Sequence, residues 1–306
     1  MECFAWDAPR EIHHHRPNPM NLIKITNPTP LRSPHHDKLI AYDLRYLPDG
    51  TPKPMIIFVH GFKGFKDWGY FNLMADTFAQ AGFFYVKLNL SHNGTSPEHP
   101  TEFVDLEAFG HNTFSTELDD LGILIDHLSS SDFSVATQEF DADRLFLIGH
   151  SRGGSLVLLK AHEDPRVKAV VTLAAVSDLE ERWPPEHLAK WKEAGVHYVQ
   201  NSRTGQNMPL YYDIVEDFYA HRERLDVPTA VQQLEKPILV FHGTNDETVP
   251  VQSAYDIRDW NSHATVKIIE GANHVFGGQH PYESDTLPTD MQTVVDQTTK
   301  FLKVVQ

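Results

Sequence analysis

The chain has 306 residues, 41% of them hydrophobic, and its 26 lysines and arginines face 42 aspartates and glutamates, a formal charge of −16. Phosphate backbones and anionic lipid surfaces are held by a Lys/Arg surplus, so this balance argues against nucleic acid or membrane partners. One cysteine, Cys3, permits no internal disulfide and no cysteine-based zinc site, and the composition is that of a globular protein with a large core.

Met1–Met20 carries acids, histidines and prolines but no apolar run of the kind a secretory signal needs, and no stretch nears the ~18 apolar residues of a membrane span. The expectation is a cytoplasmic protein whose first 19 residues are a flexible extension. His13, His14 and His15 lie on that extension, where metal capture would be incidental, and no metal or other cofactor is expected.

From there strands and helices alternate. Ile40–Leu47 alternates apolar and polar residues and stops at Pro48-Asp49-Gly50, which reads as a half-exposed strand closed by a turn. Met55–Val59 is continuously apolar, as expected of a parallel strand covered on both faces. Residues 71–81 space Phe71, Met74, Ala75, Phe78 and Ala79 for a helix with Gly82 past its end, and Phe83–Leu90 is a strand again. Phe114–Leu128 reads as a helix, Arg144–Gly149 as a strand and Gly153–Ala161 as a helix. Val167–Ala175, Pro237–Phe241 and Val266–Ile269 are strands, and Asp290–Val304 is a closing helix. This alternation predicts an α/β fold with a mostly parallel sheet flanked by helices.

Residues 178–234 break the rhythm: a crossover of ~60 residues stands where a short one would serve, the mark of a functional cap or of an insertion packing its own aromatics. The segment holds Trp183, Trp191, Tyr198, Tyr211, Tyr212, Phe218 and Tyr219 among many charges. The expected division is 1–19 extension, 20–177 with 235–306 core, and 178–234 cap.

The chemistry concentrates in Gly149-His150-Ser151-Arg152-Gly153, which joins a strand directly to a helix. A nucleophile on so tight a corner needs small neighbours on both sides, and the corner sets the helix N-terminus beneath the reacting atom. A lone serine also needs a base, itself oriented by a carboxylate. Asp246 follows the strand Pro237–Phe241 and His274 follows Val266–Ile269, in the order Ser, Asp, His. Asp178 is a rival carboxylate, and Glu247 is adjacent but would point elsewhere. His150 and His242 read as structural, His35 and His36 as a solvated turn, and His263 and His280 lack a position just after a strand.

With His60-Gly61-Phe62 and Gly271-Ala272-Asn273-His274 added, the chain from about Ile40 to Val304 resembles the α/β-hydrolases. The resemblance is close to the esterase and serine-aminopeptidase-like branch that includes cinnamoyl and feruloyl esterases, and its layout is similar to dienelactone hydrolases, which use cysteine as nucleophile. The resemblance implies Ser151 as nucleophile, His274 as general base and then acid, Asp246 as orienter, and the N–H groups of Phe62 and Arg152 as the oxyanion hole. Ser91-His92-Asn93-Gly94-Thr95-Ser96 resembles a structural turn of the family, in a departing form.

The function expected is hydrolysis of small to medium esters, aromatic ones among them, through an acyl-enzyme, with Trp183, Trp191 and Tyr211 contacting substrate beneath an aromatic roof. A peptidase of the same fold stays open, since Glu180, Glu181, Glu186 or Glu193 would suit a substrate amine. Arg182, Lys190 and Lys192, interspersed with these acids at helical spacing, favour a solvated cap helix instead. A non-catalytic protein on this fold is the third alternative.

Overall fold

The computed structural model of the protein describes residues 21–135, 137–180, 183 and 185–305; the extension expected over 1–19, Cys3, Glu181 and Arg182 lie outside the described residues. The described residues form a nine-stranded sheet. Its strands are β1 (Ile23–Thr26), β2 (Leu31–Arg32), β3 (Leu39–Tyr46), β4 (Lys53–Val59), β5 (Phe84–Asn89), β6 (Phe140–His150), β7 (Val167–Leu173), β10 (Ile238–Gly243) and β11 (Ala264–Ile269). The order across the sheet is β1-β3-β5-β4-β6-β7-β10-β11, with β2 pairing β3. From β5 to β11 every pairing is parallel, while β3 runs antiparallel to β5 and β1 antiparallel to β3.

The continuous apolar runs follow from coverage on both faces. In β4, Ile56 and Phe58 face α1 (Phe71–Gln80) and α10 (Thr289–Val304), while Ile57 and Val59 face α3 (Phe114–Leu128) and α4 (Arg152–Glu163). Successive strand residues point to opposite faces, so both must be apolar. The left-handed Gly82, at φ +94°, lies just past α1, in the C′ position the spacing assigns it.

The expected strands and helices are all present, with ends shifted by a few residues, but β3, expected half-exposed, is buried from Ile40 to Tyr46, its Asp43 and Arg45 included. Four elements carry too little periodicity to read from sequence: β1, β2, the short α2 (Leu106–Gly110) and α9 (Gln252–Trp260). Between β7 and β10 the chain forms α5 (Pro185–Ala194), a hairpin of β8 (Val196–Gln200) and β9 (Asn207–Tyr211), then α6 (Asp213–Ala220), α7 (Arg222–Leu225) and α8 (Val227–Gln233).

Among the described residues, no helix is long and apolar enough to cross a membrane.

Candidate active site

The parallel strands all end on one edge, and β4, β6, β10 and β11 each deliver a loop there, the usual location of sites in α/β sheets. Ser151 stands between β6 and α4 with φ 55° and ψ −121°, a conformation L-residues rarely adopt and that persists only where its surroundings impose it. The imposition is visible in its bonds: the Ser151 N–H donates to the Leu173 carbonyl at 2.8 Å, and the Ser151 carbonyl accepts from Gly154 at 2.9 Å.

Close approach explains the glycines around it. A Cβ on Gly149 would lie 2.1 Å from the Gly153 carbonyl oxygen, and one on Gly153 would lie 2.4 Å from the Val59 oxygen. A Cβ on Gly61 would lie 2.9 Å from Ser151 Cβ, so the His60-Gly61-Phe62 loop is pressed against the serine. Arg152 opens α4, and its N–H is one of the four at a helix start that have no intrahelical acceptor.

His274 and Asp246 meet across two loops. His274 Nδ1 is 2.8 Å from Asp246 Oδ2. The other carboxylate oxygen, Oδ1, accepts the N–H groups of Thr248 at 2.8 Å and Val249 at 2.9 Å. The fully buried His242 points Nε2 at the Val249 carbonyl, 2.9 Å away, and at Asp246 Oδ2, 3.2 Å away. Burial pushes the Asp246 carboxyl up, but the bonds from His242, His274 and Val249 outweigh it and hold the group well below the usual carboxylate range. The loops themselves are tied: Asn245 N–H donates to the Ala272 carbonyl at 3.0 Å and Gly271 N–H to Thr244 Oγ1 at 2.8 Å. His150 fixes the other side of the histidine, its Nε2 donating to the His274 carbonyl at 2.9 Å; burial, and then the neighbouring His274, push its own value down to about 3, so it stays neutral.

Ser151, Arg152, Phe62 and His274 all line one cavity of about 980 Å³. Trp183 and Trp191 line it too, and Trp191 is locked by its Nε1–H donating to the Leu210 carbonyl at 2.8 Å. Tyr211 does not belong to this lining. Side chains alternate along β9, so Leu210 faces the cavity while Tyr211 faces away, stacked 4.1 Å from the His111 ring with its hydroxyl donating to Glu107.

The expected roof of seven aromatics is likewise corrected to two. Phe218 packs on Trp183 and Phe114, Tyr212 packs on Trp191, Tyr198 is exposed, and Tyr219 donates to Glu180. Much of the aromatic content thus packs the segment against itself. Glu180 is held by Arg222 at 2.6 Å, and Glu186 and Glu193 are exposed on α5. Asp178, the rival carboxylate, accepts the Glu180 N–H at 2.8 Å and is not part of the cavity lining.

Two partnerships were not read from sequence. His242 donates toward Asp246, a role that only the β10 loop geometry creates. Glu117 is fully buried and accepts from Arg152 at 2.6 Å and Asn112 at 2.6 Å. Its signal was available: it sits between Phe114 and Leu121 on the apolar face of α3, where an acid needs a partner.

A strained serine corner at the end of a central parallel strand, facing the same cavity as a carboxylate-backed histidine, is the architecture of the α/β-hydrolase fold. Residues 54–206 match the alpha/beta hydrolase fold family, half of the chain, and the protein belongs to that family. Over 91 residues it is 30% identical to a probable lysophospholipase, BODYGUARD 3, of Arabidopsis thaliana; the match covers 29% of this chain but only 14% of that relative. Among solved structures, Est1E from Butyrivibrio proteoclasticus superposes with a TM-score of 0.63 at 17% identity, over 90% of this chain and 98% of Est1E. The esterase domain of a Rhodothermus marinus protein gives 0.59 at 21% identity, over 94% of this chain and 100% of that domain.

Proposed function

We propose that the protein is a serine hydrolase that cleaves carboxylic esters of small to medium acyl groups, aromatic ones included, through an acyl-enzyme. The observation that carries this reading is the 2.8 Å bond from His274 Nδ1 to the Asp246 carboxylate beside the strained Ser151. With Nδ1–H committed to Asp246, the neutral His274 presents Nε2 as the acceptor. Ser151 Oγ attacks the ester carbonyl as its proton passes to Nε2; the oxyanion is met by the N–H groups of Phe62 and Arg152. Collapse expels the alcohol, which takes that proton from His274. Water, deprotonated by the same Nε2, then releases the acid and restores Ser151.

Trp183 and Trp191 give the cavity flat apolar walls suited to an aromatic group. Est1E, similar in fold, has been solved with ferulic acid bound, which agrees with an aromatic acid as one candidate. A peptidase reading is less favoured, because the described lining contains no carboxylate to hold a substrate amine. The test is a panel of 4-nitrophenyl esters of graded acyl length, hydroxycinnamate methyl esters and aminoacyl anilides. Esters are expected to exceed every anilide in kcat/KM, and the reverse ranking would establish the peptidase reading.

A further inference from the structure

The chain as a whole carries −16, yet the ionised side chains among the described cavity-lining residues are Lys63, Arg152 and Lys190, with no aspartate or glutamate. Arg152 is the best placed of the three, because it directly follows Ser151. Its guanidinium lies 4.7 Å from the centroid of the Phe62 ring and 5.6 Å from that of Phe114, so it packs against two phenyl groups. Glu117 holds one end through Nη2 at 2.6 Å. That bond uses one of five guanidinium donors and leaves others for a planar anion. Burial pushes the Glu117 carboxyl up against the pull of Arg152. Lys63 reaches the same cavity from the Phe62 loop, where its Nζ donates to the Gln200 carbonyl at 3.3 Å, and Lys190 reaches it from the exposed side of α5.

We propose that the cavity selects esters bearing a second, negatively charged group, a carboxylate or a phosphate, and that the Arg152 side chain receives that group with Lys63 and Lys190 steering it in. The inference rests on the serine-hydrolase reading and adds the charge of the substrate to it. Arg152 is here a specificity-determining residue through its side chain, separate from the oxyanion role of its N–H, and Glu117 is its positioning residue.

The experiment compares pairs that differ in charge: 4-nitrophenyl hydrogen glutarate against its methyl ester, and butyrylglycerol phosphate against butyrylglycerol. The wild type is expected to favour at least one anionic partner by about tenfold or more in kcat/KM, with the advantage shrinking as salt rises. The pair that shows it identifies carboxylate or phosphate as the anion. Lys63→Gln with Lys190→Gln should lower the anionic rate more than the neutral one, shrinking the preference. Arg152→Gln, combined with Glu117→Gln so that no buried carboxylate is left unpaired, should abolish the preference. Equal or faster turnover of the neutral partners overturns the proposal and leaves the hydrolase reading standing. A preference that survives both variants overturns the assignment to these residues. Failure to turn over all four esters, together with no labelling of Ser151 by a fluorophosphonate, overturns the hydrolase reading and this inference with it. If labelling occurs without turnover, calorimetry of Ser151→Ala with monomethyl glutarate decides: salt-sensitive binding supports the proposal and no binding overturns it.

Discussion

Replacing Asp246 by asparagine isolates the carboxylate proposed to orient His274, with almost no change of shape. The carboxylate accepts from four groups: the Thr248 and Val249 N–H on Oδ1, His274 Nδ1 at 2.8 Å and His242 Nε2 at 3.2 Å on Oδ2. An amide has only one oxygen. If its NH2 faced the two backbone N–H groups, donors would meet donors and neither backbone group can change. The amide oxygen therefore takes the Oδ1 site and the NH2 faces the imidazoles. His274 must then accept at Nδ1, which moves its proton to Nε2, the nitrogen required to take the proton of Ser151. A wrong tautomer of this kind costs about 10⁴ in kcat in a serine protease, equivalent to about 5.5 kcal/mol of barrier. A similar loss is expected here. KM should hardly move, because the Asp246 side chain is fully buried behind His274 rather than part of the cavity lining. The two backbone bonds survive, so stability should fall by only about 1–3 kcal/mol. The assay is steady-state hydrolysis of 4-nitrophenyl butyrate with a parallel thermal melt. A folded Asp246→Asn enzyme within about tenfold of the parent kcat would refute the argument. Asp178→Asn is the control, and it should leave kcat nearly unchanged, since Asp178 accepts the Glu180 N–H and is not among the described cavity-lining residues.

Ser151→Ala should abolish both turnover and fluorophosphonate labelling while the melt is preserved; labelling that persists in the variant moves the nucleophile elsewhere. Gly153→Ala drives a methyl to 2.4 Å from the Val59 oxygen and 2.5 Å from the His60 oxygen, so a destabilisation of about 1–3 kcal/mol or more is expected by denaturant titration. An unshifted midpoint would mean that the corner yields easily. Buried His60, His92 and His150 are pushed by desolvation to about 4, about 4 and about 3. An unfolded histidine takes up its proton near ~6.5, before these do, so stability falls as pH drops from about 6.5 toward 4, by about 2 kcal/mol per residue at pH ~5 relative to pH ~8. Asp120 works the other way: burial raises it to about 6. It regains about 1.5 kcal/mol over that range, leaving a net loss of about 4.5 kcal/mol from these four groups. Denaturation midpoints that stay level between pH 8 and 5 would contradict this.

Local sequence determined most of what positions the chemistry. The run Met55–Val59 reads as a doubly covered strand because it is short, continuously apolar and rich in β-branched and aromatic residues, and both its faces are buried. The glycines around Ser151 marked a corner that excludes a Cβ, and the φ of 55° and the contacts of 2.1–2.4 Å are the physical form of that constraint. The order of Ser151, Asp246 and His274 after successive strands then brought them to one edge. What the tertiary structure decided is which side chains of residues 178–234 reach the cavity. Composition marked Trp183, Trp191 and Tyr211 alike, but the pleat of β9 turns Leu210 toward the cavity and Tyr211 onto His111. The pairing of Glu117 with Arg152, and of His242 with Asp246, also lay beyond local reading. Glu117 and Arg152 stand 35 residues apart, on α3 and at the start of α4, and meet only because both helices cover the same face of the sheet. Periodicity tells which face of an element is buried; it does not say against which partner, and the charge of the cavity is set by those partners.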